Sequence, residues 1–148
     1  MDSRGDQADK LFRDGYNCSQ AVFAAVHEEL GIDQETALKI ASSFGGGMGR
    51  LREVCGALTG LFMAVGIKYG YSDPSDPELK TRHYQLVQDL AAQFKDEFGS
   101  IICRDLLELQ EQVSDPTPEP RTEAYYKSRP CAAYVRFAAS LMDQLESR

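Results

Sequence analysis

The chain has 148 residues and a formal net charge of −7, a length that suits one domain and can bury a core without disulfides or metals. Hydrophobic residues make up 43% and charged residues 26%, which indicates a globular rather than a disordered chain. The acidic excess argues against nucleic acids and anionic membrane surfaces as partners, because both require clustered Lys and Arg. With two histidines, the chain excludes a site built from several histidines.

The N-terminal segment favours a cytoplasmic location. Residues 1–6 are polar, whereas a signal peptide needs an apolar stretch there. The longest apolar run, residues 54–67, is shorter than the roughly 20 residues that span a bilayer. We therefore expect thiols that are mostly reduced unless they are catalytic or metal-bound.

The first part of the chain predicts two amphipathic helices. Apolar residues recur at steps of three and four from Ala8 to Ala25, and Gly31 ends this first helix. Asp33 is the expected N-cap of a short second helix. Its predicted apolar face is Ala37, Ile40, Ala41 and Phe44.

A glycine-rich segment, residues 45–49, interrupts the helices because glycine disfavours them. We expect a third helix over about residues 52–69, apolar nearly all round and therefore at the centre of the fold. Gly56, Gly60 and Ala64 share one face of this helix. Such small residues allow a neighbouring backbone to approach closely.

The fourth helix has clear boundaries. Asp76 is its expected N-cap, Pro77 occupies the first helical position and Gly99 ends it. Its predicted core face is Leu79, Leu86, Val87, Leu90, Phe94 and Phe98.

Two further helices are predicted. Ser100 is the expected cap of a fifth helix, which contains Cys103, and Pro130 opens the last helix at its first position. Between them, residues 112–124 form a predicted irregular loop rich in proline. The inward residues of the last helix are predicted to be Ala133, Phe137, Leu141 and Leu145.

Together these elements predict an all-α fold without strands. We expect a single domain over residues 1–148, with its core at about residues 6–146. The architecture would be a compact bundle of five or six helices around a buried apolar central helix.

The four cysteines are the main candidates for chemistry: Cys18, Cys55, Cys103 and Cys131. None forms a C-x-x-C pair, which leaves thioredoxin-type, zinc-ribbon and c-type haem motifs unsupported. Cys55, Cys103 and Cys131 are predicted in the first turns of three helices, where the helix dipole lowers a thiol pKa. Cys18 is predicted to lie within the first helix. It can reach a site shared with the other cysteines only if that helix packs across the N-terminal ends of their three helices. The alternative is that all four are small buried hydrophobic residues.

Nearby arginines would also favour anions, namely Arg50 and Arg52 near Cys55 and Arg104 and Arg129 near the other two. The glycine segment supplies the candidate cofactor-contacting residues Gly45, Gly46, Gly47 and Gly49, since a sharp turn leaves backbone N–H groups near Cys55. A dinucleotide or P-loop cradle would need a preceding strand, and a helix precedes this segment. Alternatively, the glycines serve to turn the backbone with positive φ.

Three motifs precede Cys103 and Cys131 in the chain. They are Asn17-Cys18-Ser19-Gln20-Ala21, Phe44-Gly45-Gly46-Gly47-Met48-Gly49 and Val54-Cys55-Gly56-Ala57-Leu58-Thr59-Gly60. In this combination the chain resembles the C_GCAxxG_C_C family over roughly residues 6–145. The Gly-Cys-Ala order of the family name is Cys-Gly-Ala here. The resemblance implies a redox-active protein with a thiol or metal function, and it implies no particular substrate.

Three functions remain open. In the first, Cys55 attacks and a second cysteine resolves a mixed disulfide, with a redox protein or a small-molecule thiol or disulfide as partner. Such a protein would be a thiol-dependent oxidoreductase or an accessory redox protein. In the second, Cys18, Cys55, Cys103 and Cys131 hold zinc or an iron–sulfur cluster. In the third, the chain is a non-catalytic interaction module, with a homodimer through exposed apolar surface as one form.

Overall fold

A computed structural model describes residues 3–109 and 113–146. Within these ranges the chain is helical, and its one β-type pairing is an isolated antiparallel bridge between Val54 and Ile102, which confirms the all-α fold. The helices are α1 (Arg4–Arg13), α2 (Cys18–Ala25), α3 (Gln34–Ala41), α4 (Gly45–Met48), α5 (Gly56–Tyr69), α6 (Pro77–Phe98), α7 (Cys103–Leu106), α8 (Glu123–Ser128) and α9 (Cys131–Leu145). Of these, α4 is a single turn with left-handed backbone at Gly46, Gly47 and Met48, so the glycine segment does interrupt the right-handed helices. None of the described helices is both long and apolar enough to cross a membrane. The two ends of the predicted domain, and residue 112 of the predicted loop, lie outside the described residues.

The predicted first helix is wrong in one respect, because the chain forms two helices there. Gly15 has a φ of 109°, a conformation that breaks the helix and that glycine adopts readily. Asn17 then caps α2: its side chain accepts a hydrogen bond from the Gln20 N–H, and the Gln20 side chain accepts one from the Asn17 N–H. This capping box makes Cys18 the first residue of α2 rather than a residue within a longer helix.

Helix α5 lies at the centre of the fold, as predicted. It packs against α2 and α9, and α9 in turn packs against α1 and α2. The close contact between α5 and α2 depends on glycine, since a Cβ atom on Gly60 would lie 2.7 Å from the Ser19 carbonyl oxygen. The largest fully buried side chains of this core are Phe12, Phe23, Phe94, Leu58, Leu61, Leu90, Leu141 and Met142.

Helix α6 has the predicted boundaries, with Asp76 as N-cap, Pro77 in its first turn and Gly99 at its end. Its core face is shorter than predicted. Leu90 and Phe94, both in its second half, are buried, whereas Leu79 is 44% exposed. The apolar pattern of this helix therefore continues beyond the surface that covers it.

Two other residues predicted to face inward are exposed. Ile40 in α3 and Ala133 in α9 both lie at the surface, although neighbouring positions of the same helices are buried. The buried face of α9 is centred one residue later along the chain, with Tyr134 and Val135 in its first turns. A periodic pattern fixes the face of a helix only to within about one residue.

The segments that carry the later cysteines differ in detail from the prediction. Ile102, and not Ser100, is the N-cap of α7, and Ser100 accepts a hydrogen bond from the Ile102 N–H instead. Helix α8 begins inside the predicted irregular loop, because Thr122 caps it by accepting a hydrogen bond from the Tyr125 N–H. Pro130 precedes α9 as its N-cap rather than occupying its first helical position.

Candidate functional site

All four cysteines line one cavity of about 400 Å³. Cys18, Cys103 and Cys131 are the first residues of α2, α7 and α9, and Cys55 is the N-cap of α5. All four are free thiols. The structure thus brings together sulfur atoms from four helix starts, including Cys18, which the periodic pattern had placed within a helix.

Backbone pairing joins the segments that carry Cys55 and Cys103. The Cys55 N–H donates to the Ile101 carbonyl over 2.8 Å, and the Cys103 N–H donates to the Glu53 carbonyl over 2.6 Å. These bonds flank the bridge between Val54 and Ile102. The start of α5 and the start of α7 are therefore fixed against each other although they are distant in sequence.

The glycine segment packs directly behind the cysteines. Gly46 and Gly47 have φ values of 68° and 70°, in the left-handed region that favours glycine. A Cβ atom on Gly47 would lie 2.8 Å from the Cys103 Cβ atom and 2.7 Å from the Glu53 backbone nitrogen. Only a residue without a side chain fits this position.

The same segment also contacts Cys18. Burial raises the pKa of the Cys18 thiol, and the nearby backbone N–H of Gly46 offsets part of that rise. Of the four glycines predicted to contact a cofactor, Gly45, Gly46 and Gly49 line the cavity, and Gly47 lies against Cys103. Their role towards a cofactor stays a prediction, and their observed role is to bring the backbone close to the sulfur atoms.

Burial has the largest effect on three of the thiols. It raises the pKa of Cys18, raises that of Cys55 well above its usual value and raises that of Cys131 to about 12. The charges of neighbouring cysteines raise these pKa values further, while the Ala57 N–H lowers that of Cys55. The expected lowering of the pKa by helix N-termini is therefore wrong for Cys55 and Cys131, because the loss of hydration outweighs the nearby N–H donors.

Cys103 has a different neighbour. The guanidinium of Arg52 is buried, with 4% of the residue exposed, and its Nη1 atom lies 3.6 Å from the Cys103 sulfur atom. Its Nε atom donates to the Ser114 hydroxyl over 2.8 Å, which orients the side chain. A cationic donor beside a sulfur atom stabilises the thiolate form. Cys103, rather than the predicted Cys55, is therefore the cysteine with built-in support for a negative charge.

Arg121 is a cavity residue that the sequence analysis missed. It donates to the carbonyl oxygens of Phe12 and Tyr16, each over 2.9 Å, and its guanidinium carbon lies 4.5 Å from the centre of the Phe12 ring. Arg121 lies in the predicted loop, and its guanidinium also stacks near the rings of Tyr125 and Tyr126. This aromatic pair follows Arg121 closely in the sequence and was the available signal for a cation–π contact. Three of the four arginines noted in the sequence line the cavity, namely Arg50, Arg52 and Arg129. Arg104 does not line it and forms an ion pair with Glu53.

The arrangement gives no geometric support to a metal centre. Across residues 3–109 and 113–146, no three His, Cys, Asp or Glu side chains are placed to hold a metal ion together. The four-cysteine zinc or iron–sulfur site therefore stays a prediction from the cysteine count.

The sequence model of a family described as "Putative redox-active protein (C_GCAxxG_C_C)" matches residues 16–145. The chain belongs to this family. The matched range of this C_GCAxxG_C_C protein contains the four cysteines and the glycine segment that packs behind them. Comparisons with curated proteins and with solved structures found no match.

Proposed function

We propose that this C_GCAxxG_C_C protein carries out reversible thiol–disulfide exchange in the cavity that its four cysteines line. The observation that supports this proposal most directly is the set of four free thiols around one cavity, with the Arg52 guanidinium beside Cys103. In this proposal Cys103 attacks and Cys18 resolves. The protein would act as a thiol-dependent oxidoreductase or as an accessory to one.

The first step transfers one sulfur group to the protein. The Cys103 thiolate attacks a disulfide R–S–S–R, forms a Cys103–S–S–R bond and releases R–S⁻. Arg52 holds the thiolate before the attack, and the proton of the Cys103 thiol ends on the released thiolate or in solvent.

The second step closes a protein disulfide. Cys18 loses its proton, attacks the sulfur atom of Cys103 and releases the second R–S⁻. The protein thereby loses two electrons and two protons, and R–S–S–R becomes two R–SH. The reverse steps reduce the protein with two small thiols.

Cys18 is the proposed resolving residue for two reasons. Consecutive residues of the glycine segment contact the two cysteines, since the Gly46 N–H lies beside the Cys18 sulfur atom and Gly47 packs against the Cys103 Cβ atom. Both sulfur atoms also line the same cavity.

The test uses the reduced full chain and a neutral disulfide, 2-hydroxyethyl disulfide. We expect the wild-type protein to lose two thiols and to form a disulfide between Cys18 and Cys103, mapped by peptide mass spectrometry. The Cys18→Ser variant should stop at a mixed disulfide on Cys103. The Cys103→Ser variant should form neither product.

Each outcome bears on the proposal. If all four thiols of the folded protein stay unreactive, while the urea-unfolded chain reacts, the exchange function is wrong. If Cys18→Ser traps the adduct on Cys55, then Cys55 attacks and the assignment of Cys103 is wrong. Stoichiometric zinc, or iron with sulfide, in anaerobically purified protein would favour the metal centre instead.

A further inference from the structure

The charged residues that line the cysteine cavity are mostly arginines. Arg50, Arg52, Arg121 and Arg129 line it, and Glu119 is the acidic residue among the lining residues. This contrasts with the chain as a whole, which carries a formal net charge of −7. The arginines are therefore concentrated where the chemistry is proposed to occur.

Among the described residues, three of the four cavity arginines form no ion pair with a carboxylate, although the charge of Arg50 adds to the lowering of the Asp115 pKa that hydrogen bonds from Thr117 cause. Among residues 3–109 and 113–146, the cavity arginine found in an ion pair is Arg129, which pairs with Glu119. Arg50 donates to the Asp115 carbonyl, and Arg121 donates to backbone carbonyls and to the Tyr126 hydroxyl, all of which are uncharged. Arg52 donates to Ser114 and supports the Cys103 thiolate of the proposed exchange.

The cavity also has the size and surface of a small-molecule site. Its volume of about 400 Å³ falls within the range of ligand pockets, about 300–1,000 Å³. Apolar side chains complete the lining, among them Phe12, Leu106 and Tyr134. A cavity with apolar walls and an excess of positive charge raises the local concentration of small anions.

We infer that the disulfide which exchanges with this protein is a small molecule that carries carboxylate groups. This inference rests on the proposed exchange function and adds its substrate class. The carboxylates would bind to the arginines while the disulfide bond lies against Cys103. The exchange steps are those given above, so two protein thiols are oxidised as the small disulfide becomes two carboxylate-bearing thiols.

The first test compares three disulfides of similar length and different charge. These are dithiodipropionate, which is dianionic, 2-hydroxyethyl disulfide, which is neutral, and cystamine, which is dicationic. Each rate of protein oxidation is divided by the rate at which the same disulfide reacts with 1-thioglycerol, a small neutral thiol, which corrects for the intrinsic reactivity of the disulfide. We expect the normalised rate of the dianion to exceed that of the dication by about tenfold or more.

Arginine variants connect this preference to the cavity. Arg50→Gln and Arg129→Gln should each lower the ratio of dianion to dication rates, and Arg50→Lys should restore part of it. Arg82→Gln is the matched control, because Arg82 pairs with Glu78 on the surface of α6 and lies outside the cysteine cavity. That variant removes the same charge and should leave the ratio unchanged.

A competition experiment uses the wild-type protein alone, so its result does not depend on whether a variant folds. Octanedioate has the length and charge of dithiodipropionate but no sulfur, and we expect it to slow oxidation by the neutral disulfide. The diol of equal length, 1,8-octanediol, should slow it less. Rates that follow no charge order, together with no inhibition by octanedioate, would overturn the substrate inference while the exchange function stands. No oxidation by any of the three disulfides would overturn the exchange function itself.

Discussion

Cys103 and Cys55 show how strongly the immediate neighbours of a sulfur atom decide its chemistry. Both lie at helix starts, and both are buried. Cys55 has the Ala57 N–H as a compensating donor, and its pKa still rises well above the usual value. Cys103 has the Arg52 guanidinium instead. A full positive charge beside a sulfur atom has a larger effect than the partial charge of a helix end.

The Arg52→Gln variant tests this difference. It removes the cationic donor to the Cys103 sulfur atom, and hydrogen bonds to charged groups contribute about 1.5–3 kcal/mol. We therefore expect the alkylation of Cys103 by iodoacetamide near neutral pH to slow by about tenfold or more. Peptide mapping of early time points measures the rate at each cysteine.

The Arg52→Lys variant is the matched comparison, since it keeps a positive charge and loses the planar donor geometry. It should retain an intermediate rate at Cys103. Unchanged alkylation in Arg52→Gln would show that Arg52 does not support the thiolate.

Cys131 predicts a loss of stability at alkaline pH. Burial raises its pKa from 9.0 to about 12, so above pH 9 the unfolded chain loses this proton before the folded one does. The folded state then binds more protons, and the free energy of unfolding decreases as pH rises through this window. The expected loss from this group is about 1 kcal/mol by about pH 10.

Urea unfolding at about pH 7.5 and about pH 10 measures this loss. The Cys131→Ala variant lacks the titrating thiol, and its free energy of unfolding should decrease less between the two conditions. An equal decrease in both proteins would mean that other groups cause the alkaline effect.

At the scale of the elements, the glycine segment has to lie close to α7. A Gly47→Ala substitution would place a methyl group 2.8 Å from the Cys103 Cβ atom in a backbone conformation with a φ of 70°. We expect a loss of about 2–4 kcal/mol, made up of strain in the left-handed region and overpacking. Equilibrium unfolding in urea measures it.

Gly31→Ala is the matched control for Gly47→Ala. Gly31 has a similar φ of 74°, but nothing lies within 4 Å of the position that its Cβ atom would take. This variant should lose only the strain contribution, about 1–2 kcal/mol. Equal losses in the two variants would show that the contact between the glycine segment and α7 is not tight.

The packing of α5 against α2 gives a second pair of variants. Gly60→Ala would place a methyl group 2.7 Å from the Ser19 carbonyl oxygen, and we expect it to destabilise the protein by about 1–3 kcal/mol. Gly66→Ala lies in the same helix with nothing within 4 Å of its Cβ position, and it should stabilise the protein by up to about 1 kcal/mol through helix propensity. Thermal unfolding of both variants measures the opposite signs. Destabilisation by both would contradict the assignment of the contact to Gly60.

These elements also show what the sequence could predict. Asp33 and Asp76 are caps with an adjacent apolar pattern, so α3 and α6 start where predicted. The break at Gly15 was missed because the apolar pattern continues through it in phase. Asn17 and Gln20 form the available signal, an N-cap residue followed three positions later by a glutamine.

At the scale of the whole molecule, the convergence of the cysteines depends on long-range pairing that no local pattern encodes. The bridge between Val54 and Ile102 joins two segments that each lack a strand pattern. Arg121 reaches the cavity by donating to Phe12 and Tyr16, which are far from it in sequence. Positions at helix starts could be predicted from caps and prolines, whereas a shared site at those starts was a hypothesis that no local pattern could establish.

Buried residues are distributed unevenly over the molecule, and this distribution predicts which helix unfolds locally at the lowest free energy. Helix α5 is buried along most of its length, whereas the first half of α6, from Pro77 to Leu86, contains no buried residue. Amide hydrogen exchange reports such differences, since segments with few buried contacts open at lower free energy. We expect amides in the first half of α6 to exchange at least about tenfold faster than those of α5, after correction for intrinsic rates. The Gly60→Ala variant should speed up exchange in α5 and narrow this difference. Equal protection of both helices in the wild-type protein would mean that α6 unfolds together with the core, and that burial does not set the order of opening.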